Sequence, residues 1–557
     1  MLVVPPLAGN SNESGASTFD KPSVEREFDF RVLTRTRKQM TSTTRFVFLL
    51  AVFGTIAKPL PALADEPAKP NVLLICVDDL RPELNCFGKD YIHSPNIDAL
   101  AGRGRAFHRH YVQAPTCGAS RYALLTGRYG SSNNMALFDR AKKVKAGKTI
   151  PPSMPQLFRD NGYTTVSIGK VSHHPGGYGG PDWNDTDQVE IPSAWDRSPL
   201  PTGLWKTPRG VMHGLVNGQV RSSERKSMPV FESAEGDDSI YPDGMITEQA
   251  IAEMKQLAAA PNKPFFLAVG IIRPHLPFGA PAKYMEHYRD AKLPAIAHPE
   301  PPTGNTTWHN SKEFRNYQCW DRDPNTDAEF ATEVRKHYGA CVSYADAMVG
   351  KIVNQLEDLG LSENTIIVLW GDHGWHLGEH GVWGKHTLFE ESLHSPLIIC
   401  QPGMPSPGQK TDAMVETVDL FPTLCELTGL PAPKKIHGVS LKPILNSPVA
   451  VGHDAFSYKG DTSTLRTPTH RFILHGSGAT ELYAHQANRT DEFVNLSIDQ
   501  PELVAELTER LKKRMKMRHP YKQKKKSPTE PAKINPPEEN QKNTSKESDV
   551  MDKAPNP

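Results

Sequence analysis

From Asn71 to Val77 the chain reads Asn-Val-Leu-Leu-Ile-Cys-Val, a nearly unbroken apolar run that ends on two carboxylates, Asp78 and Asp79. A run without a polar face belongs to a strand covered on both sides, as in parallel sheets sandwiched by helices. Thr164–Ile168, Phe265–Val269, Ile366–Trp370 and Pro396–Cys400 read similarly, with helical stretches between them that include Thr247–Ala260 and Glu329–Leu359. Thr247 is the expected N-cap of the first of these helices, which places Glu248 in its opening turn, where the helix dipole favours an acid. The alternation predicts an α/β domain around a mainly parallel sheet.

The residues just beyond the strands point to a site. Val77 leads to Asp78-Asp79, Ile168 to Gly169-Lys170-Val171-Ser172-His173-His174, Val269 to Arg273-Pro274-His275, and Trp370 to Gly371-Asp372-His373-Gly374. Ligands of open α/β sheets bind beyond the carboxyl ends of the strands. Singly, adjacent Asp residues cap helices and a lone His is structural. Four strand ends carrying such groups predict one shared polar site. Asp78, Asp79 and Asp372 are hard oxygen donors suited to Ca²⁺ or Mg²⁺, and His373 adds a nitrogen. Lys170 and Lys385 offer point charges to an anion. A divalent cation with lysines suits a sulfuryl or phosphoryl ester. Cys117, in Pro115-Thr-Cys-Gly-Ala-Ser-Arg121, falls at the start of a short helical stretch whose dipole favours negative charge. The pattern alone leaves a reactive thiol and a buried structural one equally open.

Composition narrows the classes. A net charge of +1 over 557 residues gives no basis for nucleic-acid binding through long-range electrostatics. Hydrophobic content of 38% with eight Trp excludes wholesale disorder. The apolar run Phe46–Ala57 is too short for a comfortable bilayer span. With Arg45 before it and Ala62-Leu63-Ala64 after it, the run has the order of a secretory signal; a membrane anchor or a buried strand is the other reading. The signal reading makes Met40 the expected start and Met1–Gln39 an extension. It implies a mature protein from about Asp65, secreted or periplasmic, with no stable membrane span. From Lys512 the chain turns basic and then Pro/Glu/Lys/Asn/Ser-rich, as expected of a solvated disordered tail. The expected division is therefore 1–64 extension and signal, 65–400 catalytic domain, 401–511 smaller subdomain and 512–557 tail.

Cys117-Gly-Ala-Ser-Arg121 followed by Leu125-Thr-Gly-Arg128 resembles the signature of the type I, formylglycine-dependent sulfatases of the alkaline phosphatase superfamily. The similarity runs from Asn71 to about Cys425, with weaker echoes to Leu496. It is nearer to the iduronate-2-sulfatase-like branch through Val77-Asp-Asp-Leu-Arg-Pro82, Gly169-Lys-Val171, Pro274-His-Leu-Pro-Phe278, Asp372-His-Gly-Trp375 and Leu377-Gly-Glu-His-Gly381. His437–Leu441 and Glu481-Leu-Tyr483 are similar to landmarks of that family's smaller C-terminal subdomain. The implied fold is a large mixed, mainly parallel sheet sandwiched by helices, with a C-terminal subdomain bearing an antiparallel sheet.

The resemblance further implies that Cys117 is oxidised to formylglycine, whose hydrate presents two hydroxyls. One attacks sulfur, giving a covalent sulfo-enzyme intermediate, and the other then expels sulfate. It implies a Ca²⁺ ion among Asp78, Asp79, Asp372, His373 and residue 117. Arg121 would steady the hydrate and His173 would assist its deprotonation. Lys170 and Lys385 would hold sulfate, and His275 would protonate the leaving oxygen. The implied partners are a sulfated carbohydrate and a maturation enzyme, either formylglycine-generating or anaerobic sulfatase-maturing. Ala119 stands where Pro is usual, which leaves the choice between them open. His174, Trp375 and His376 are either structural or at the pocket, and Trp183, Trp195 and Trp205 either stack on sugars or pack loops. The rival activities are a phosphatase or phosphonate monoester hydrolase and a non-catalytic glycan-binding relative. Conversion of Cys117 would leave Cys76, Cys86, Cys319, Cys341, Cys400 and Cys425, an even set that permits disulfides without requiring any.

Overall fold

A computed structural model describes residues 69–518 apart from 223, 307–310 and 486–491. The expected signal and the chain beyond Arg518 lie outside the described residues. Seven strands form the large sheet: β1 (Asn71–Val77), β2 (Arg105–Tyr111), β3 (Thr164–Gly169), β4 (Phe265–Ile271), β5 (Thr365–Gly371), β6 (Leu397–Cys400) and β7 (Lys410–Glu416). Their order is β7-β2-β6-β5-β1-β4-β3. β1 pairs in parallel with β4 and β5, and β3 with β4. The four strands expected to carry polar ends are thus consecutive and point the same way. β6 runs antiparallel to β5 and β2, which makes the sheet mixed.

Both faces of β1 are covered, which accounts for its unbroken apolar sequence. Leu73, Ile75 and Val77 belong to one core with Ile246 and Met254 of α2 (Pro242–Ala258) and Val342 and Ala345 of α3 (Ala328–Asp358). Val72, Leu74 and Cys76 belong to the other, with Leu124 and Leu125 of α1 (Cys117–Thr126) and Leu420 and Phe421 of α4 (Leu420–Leu427).

Three expectations need correction. Thr247 is not an N-cap: α2 starts more than a turn earlier at Pro242, and the Thr247 hydroxyl donates to Asp243 O inside the helix. Pro at the first helical position and Asp243 in the first turn are the start signals. The large sheet does not end near residue 400, because β7 pairs with β2. The separate antiparallel sheet begins only at Ala455, with β8 (Ala455–Lys459), β9 (Thr462–Arg466), β10 (His470–Leu474) and β11 (Thr480–Ala484) side by side. Lys512–Arg518 is not tail but the last part of α5 (Pro501–Arg518). Leu507 and Leu511 of α5 pack on Phe456, Leu465, Phe472 and Leu482 of the small sheet. Within the basic segment Met515 continues their spacing of four and packs against the same core.

All seven cysteines are free thiols. Among the described residues no helix is long and apolar enough to cross a membrane.

Candidate active site

The backbone ladder of the sheet continues one residue past the strands and fixes where the polar groups emerge. Asp78 N–H donates to Ile271 O at 3.1 Å, Asp372 N–H to Val77 O at 3.1 Å, and Lys170 N–H to Gly270 O at 3.0 Å. Asp79 then turns the chain with φ of 57°, a left-handed conformation that Asp tolerates better than most residues. Its N–H donates to Asp372 Oδ1 at 2.9 Å, and its carbonyl accepts from the Tyr338 hydroxyl of α3 at 2.8 Å.

Cys117 opens α1, and Arg121 stands one turn on, on the same helical face. The Arg121 guanidinium is fully buried. It donates to Asp78 Oδ1 at 3.0 Å, Asp372 Oδ2 at 2.8 Å, Val171 O at 3.3 Å and Lys170 O. One side chain thus ties together the ends of β1, β3 and β5. Lys170 Nζ pairs with Asp78 Oδ2. Lys385 Nζ lies 2.8 Å from Asp79 Oδ1, 3.3 Å from Cys117 Sγ and 3.4 Å from Glu313 Oε1. His373 Nε2 is 3.3 Å from Cys117 Sγ and 3.4 Å from Asp79 Oδ1. His373 Nδ1 is 3.0 Å from Gly374 O, which as an acceptor holds the proton on Nδ1 and leaves the Nε2 lone pair facing the cluster.

The electrostatics of the cluster follow from burial among crowded charges. Burial disfavours the Asp78 carboxylate, but Lys170, His275 and Arg121 together hold its pKa well below the usual range. Asp79 is pushed well above it by burial, with Lys385 opposing and Asp78, Glu313 and Asp372 repelling. Asp372 is raised to about 7 by burial and Asp78, against Arg121. Burial is also the largest cause holding His173, His275 and His373 well below the ordinary histidine value, which favours the neutral imidazole in each. Cys117 is the informative departure. Burial and the Asp78 charge push its pKa well above 9.0, outweighing Lys385, Lys170 and the helix dipole, so the side chain is a thiol rather than a thiolate.

Asp78, Asp79, Cys117 and His373 each offer one ligand atom, and all four atoms lie within 4.8 Å of one another. Asp79 Oδ2 is buried without a hydrogen-bond partner. Repelling carboxylates, an inward lone pair and this orphaned oxygen fit a divalent cation. Asp372, also expected among the ligands, stands beside the group with Oδ1 3.7 Å from His373 Nε2, engaged by Asp79 N–H and Arg121.

His275 Nδ1 is 2.6 Å from Leu276 O, and its Nε2 is 3.7 Å from Glu313 Oε1. His173 has a buried Nδ1 without a hydrogen-bond partner, and its ring lies 4.5 Å from that of His174 and 5.8 Å from that of Trp183. Among the residues with two readings, His174 is held by Glu190, and His376 sits between Glu379 O and the Thr387 hydroxyl. Trp375 is buried with Lys385 Nζ 5.5 Å from its ring. Trp205 is packed, with its Nε1–H on Leu215 O at 2.7 Å. Glu313, which joins His275 to Lys385, is not among the expected residues. Ser311-Lys312-Glu313 is an ordinary polar loop segment and carries no signal of its role.

The sulfatase family model matches residues 70–430, a span that holds every group in this cluster. The chain belongs to the sulfatase family. It is 34% identical over 397 residues to iduronate 2-sulfatase of Homo sapiens, covering 66% of this chain and 70% of that protein. The solved complex of BT4656 with its substrate D-glucosamine-2-N,6-O-disulfate shares the fold, with a TM-score of 0.61 and 20% identity over 81% of this chain and 98% of that one. A phosphonate monoester hydrolase of Agrobacterium radiobacter does so too, with a TM-score of 0.62 and 21% identity over 81% of this chain and 96% of that one. As a sulfatase, the protein is a sulfuric ester hydrolase.

Proposed function

We propose that this sulfatase hydrolyses sulfate esters of a carbohydrate, of the uronate-2-sulfate kind or another sulfated sugar, outside the cytoplasm, using Ca²⁺ and a formylglycine made from Cys117. The observation that carries the reading is the Cys117 side chain itself: a protonated, buried thiol 3.3 Å from both His373 Nε2 and Lys385 Nζ. A thiol in that state is a poor nucleophile, yet it sits where two cations and a cluster of metal donors converge. Its aldehyde form, hydrated, supplies the two hydroxyls that sulfuryl transfer and release require. A maturation enzyme that reads Cys117-Gly-Ala-Ser-Arg121 would perform the conversion.

Asp78, Asp79, Asp372 and His373, with residue 117, would hold Ca²⁺, whose charge would polarise the ester oxygens. Lys170 and Lys385 have ammonium groups anchored on Asp78 and Asp79, so they can attract a sulfate group without reorganising. Arg121 keeps Asp78 and Asp372 in place from the same helix that carries residue 117. His275 has its Nδ1 directed at Leu276 O, so the proton passed to the leaving oxygen would travel on Nε2. Glu313 Oε1 at 3.7 Å favours the protonated form of that nitrogen. His173 would take the proton of the second hydroxyl.

Two measurements on the protein co-expressed with a maturation enzyme test the reading. The intact mass should fall by the exchange of sulfur for oxygen and the loss of two hydrogens at Cys117. With Ca²⁺, sulfate should be released from defined sulfated mono- or disaccharides. A mass showing unmodified Cys117 in fully active protein would sink the formylglycine. Turnover of phosphonate or phosphate monoesters alone would instead favour the phosphonate hydrolase reading.

A further inference from the structure

Arg105 and Arg121 each leave a buried Nε without a partner, but their two terminal nitrogens are both engaged, by three backbone carbonyls in Arg105 and by two carboxylates and two carbonyls in Arg121, and Arg471 is paired with Glu390 and Glu492. Arg140 differs. Only 6% exposed, it donates from Nη2 to Pro151 O at 2.9 Å, while its Nη1 is buried without a hydrogen-bond partner. Burial weakens its hold on its proton, and the charges acting on it are Tyr122 and Arg128, with no carboxylate among them.

Arg140 lines a cavity of about 430 Å³ together with Arg128, Lys143, Arg518, Tyr122 and Asp139. Arg128 is fixed by Lys435 O, and Arg518 by Gly130 O at 3.0 Å and by stacking 3.6 Å over Tyr458. Among the described residues none of the four cations is in an ion pair. Three guanidiniums and an ammonium thus converge on one cavity with a single exposed acid, Asp139, at its edge. A desolvated guanidinium without a counter-charge is costly unless something external supplies the charge. Rigid forked donors held by carbonyls match a tetrahedral oxyanion.

We propose that this cavity is a second anion site, distinct from the Cys117 centre, and that it takes a sulfate group, either free sulfate or a sulfate ester on a glycan. No residue of the Cys117 cluster lines it. Tyr122 in the middle of α1 and Arg128 just past its end both line the cavity, so along the helix axis the site spans from about 7 Å to about 15 Å from Cys117. With no residue shared between the two places, one sulfate does not serve both, and the span is within reach of a short oligosaccharide.

The test uses the full chain and inorganic sulfate as probe, with chloride exchanged for sulfate at constant ionic strength. Wild type, R140Q, K143Q and K385A are compared by thermal shift and titration calorimetry. Sulfate should raise the Tm of wild type and of K385A. R140Q should weaken sulfate binding roughly tenfold or more, and the exposed K143Q should weaken it by a smaller factor. A merely structural Arg140 would instead lower the Tm of R140Q equally in chloride and in sulfate. That result, or sulfate binding in K143Q and R140Q equal to wild type, overturns the proposal. So does loss of all sulfate binding in K385A, which would place the anion at the Cys117 centre alone. The source of the sulfate is then read from kinetics. An ester ligand raises KM in K143Q for a disulfated oligosaccharide but not for a monosaccharide. A free-sulfate ligand leaves both KM values of K143Q at those of wild type while sulfate binding is still weakened. Because the binding arm needs no turnover, it stands even if the carbohydrate reading fails.

Discussion

Arg121 Nη2 donates to Asp372 Oδ2 at 2.8 Å from the helix whose first residue is Cys117, so that helix is tied directly to the end of β5. The same nitrogen reaches Asp78 Oδ1 on β1 at 3.0 Å, and Nη1 reaches two carbonyls beyond β3. A lysine carries the charge but not the planar fork and cannot span these acceptors. R121K should therefore destabilise the fold by about 1–3 kcal/mol, the range for leaving buried acceptors without their hydrogen bonds, and lower kcat by on the order of 10²-fold. Chemical denaturation and steady-state kinetics check it; wild-type stability with unchanged kcat would show that the tie has no such role.

Calcium binding should depend on pH in a defined direction. Without the ion, Asp372 has a pKa of about 7 and that of Asp79 stands well above the ordinary carboxylate value. A bound cation favours the ionised forms, so binding near and below pH 7 must release protons. Affinity for Ca²⁺ should fall as the pH drops below about 7, and calorimetry in buffers of different ionisation enthalpy should register the protons released. Affinity independent of pH from 5 to 8 would contradict the raised carboxylates.

Glu313 faces His275 Nε2 at 3.7 Å and Lys385 Nζ at 3.4 Å. Its negative charge favours the imidazolium of His275 against the burial that lowers its pKa. E313Q removes that support. The alkaline limb of kcat should move to lower pH, and kcat at neutral pH should fall by about 10–10²-fold, with KM changed less. E313D should restore part of the rate. A uniform loss with an unmoved pH profile would assign Glu313 a packing role only.

The strand ends are legible in the sequence because an apolar run covered on both faces has to stop where it meets solvent or a site, and here four of the five runs are followed within a few residues by titratable side chains. Asp78, Lys170, His275 and Asp372 can therefore be placed at one edge from the sequence. β2 is not legible. Its Arg105 and His110 look like surface residues, but they are buried on the carbonyls of Gln409, Pro405, Leu445 and Ser395 and on the Thr417 hydroxyl, all from distant segments. Glu313 escapes for the same reason: its partners are fixed by tertiary folding, with no local pattern to announce them. The thiol state of Cys117 cannot be read from the helix dipole alone, because the carboxylates that raise its pKa come from other strands.

His453 offers a stability test away from the Cys117 cluster. Its Nε2 lies 2.8 Å from Asp419 Oδ2 and its Nδ1 lies 3.0 Å from Asp454 O, so both ring nitrogens face acceptors and both must carry protons. Burial opposes the charge, but the Asp419 hydrogen bond and charge, with Glu416 behind, outweigh it and raise the pKa to about 9. A histidine whose folded pKa lies above its unfolded value of about 6.5 stabilises the fold fully below that value. The contribution is lost as pH rises through about 9. H453Q should thus cost on the order of 1 kcal/mol at pH 6 and almost nothing at pH 10. Its Tm curve should converge on that of wild type between those limits; curves that stay parallel from pH 6 to 10 would mean that His453 is not held as the cation.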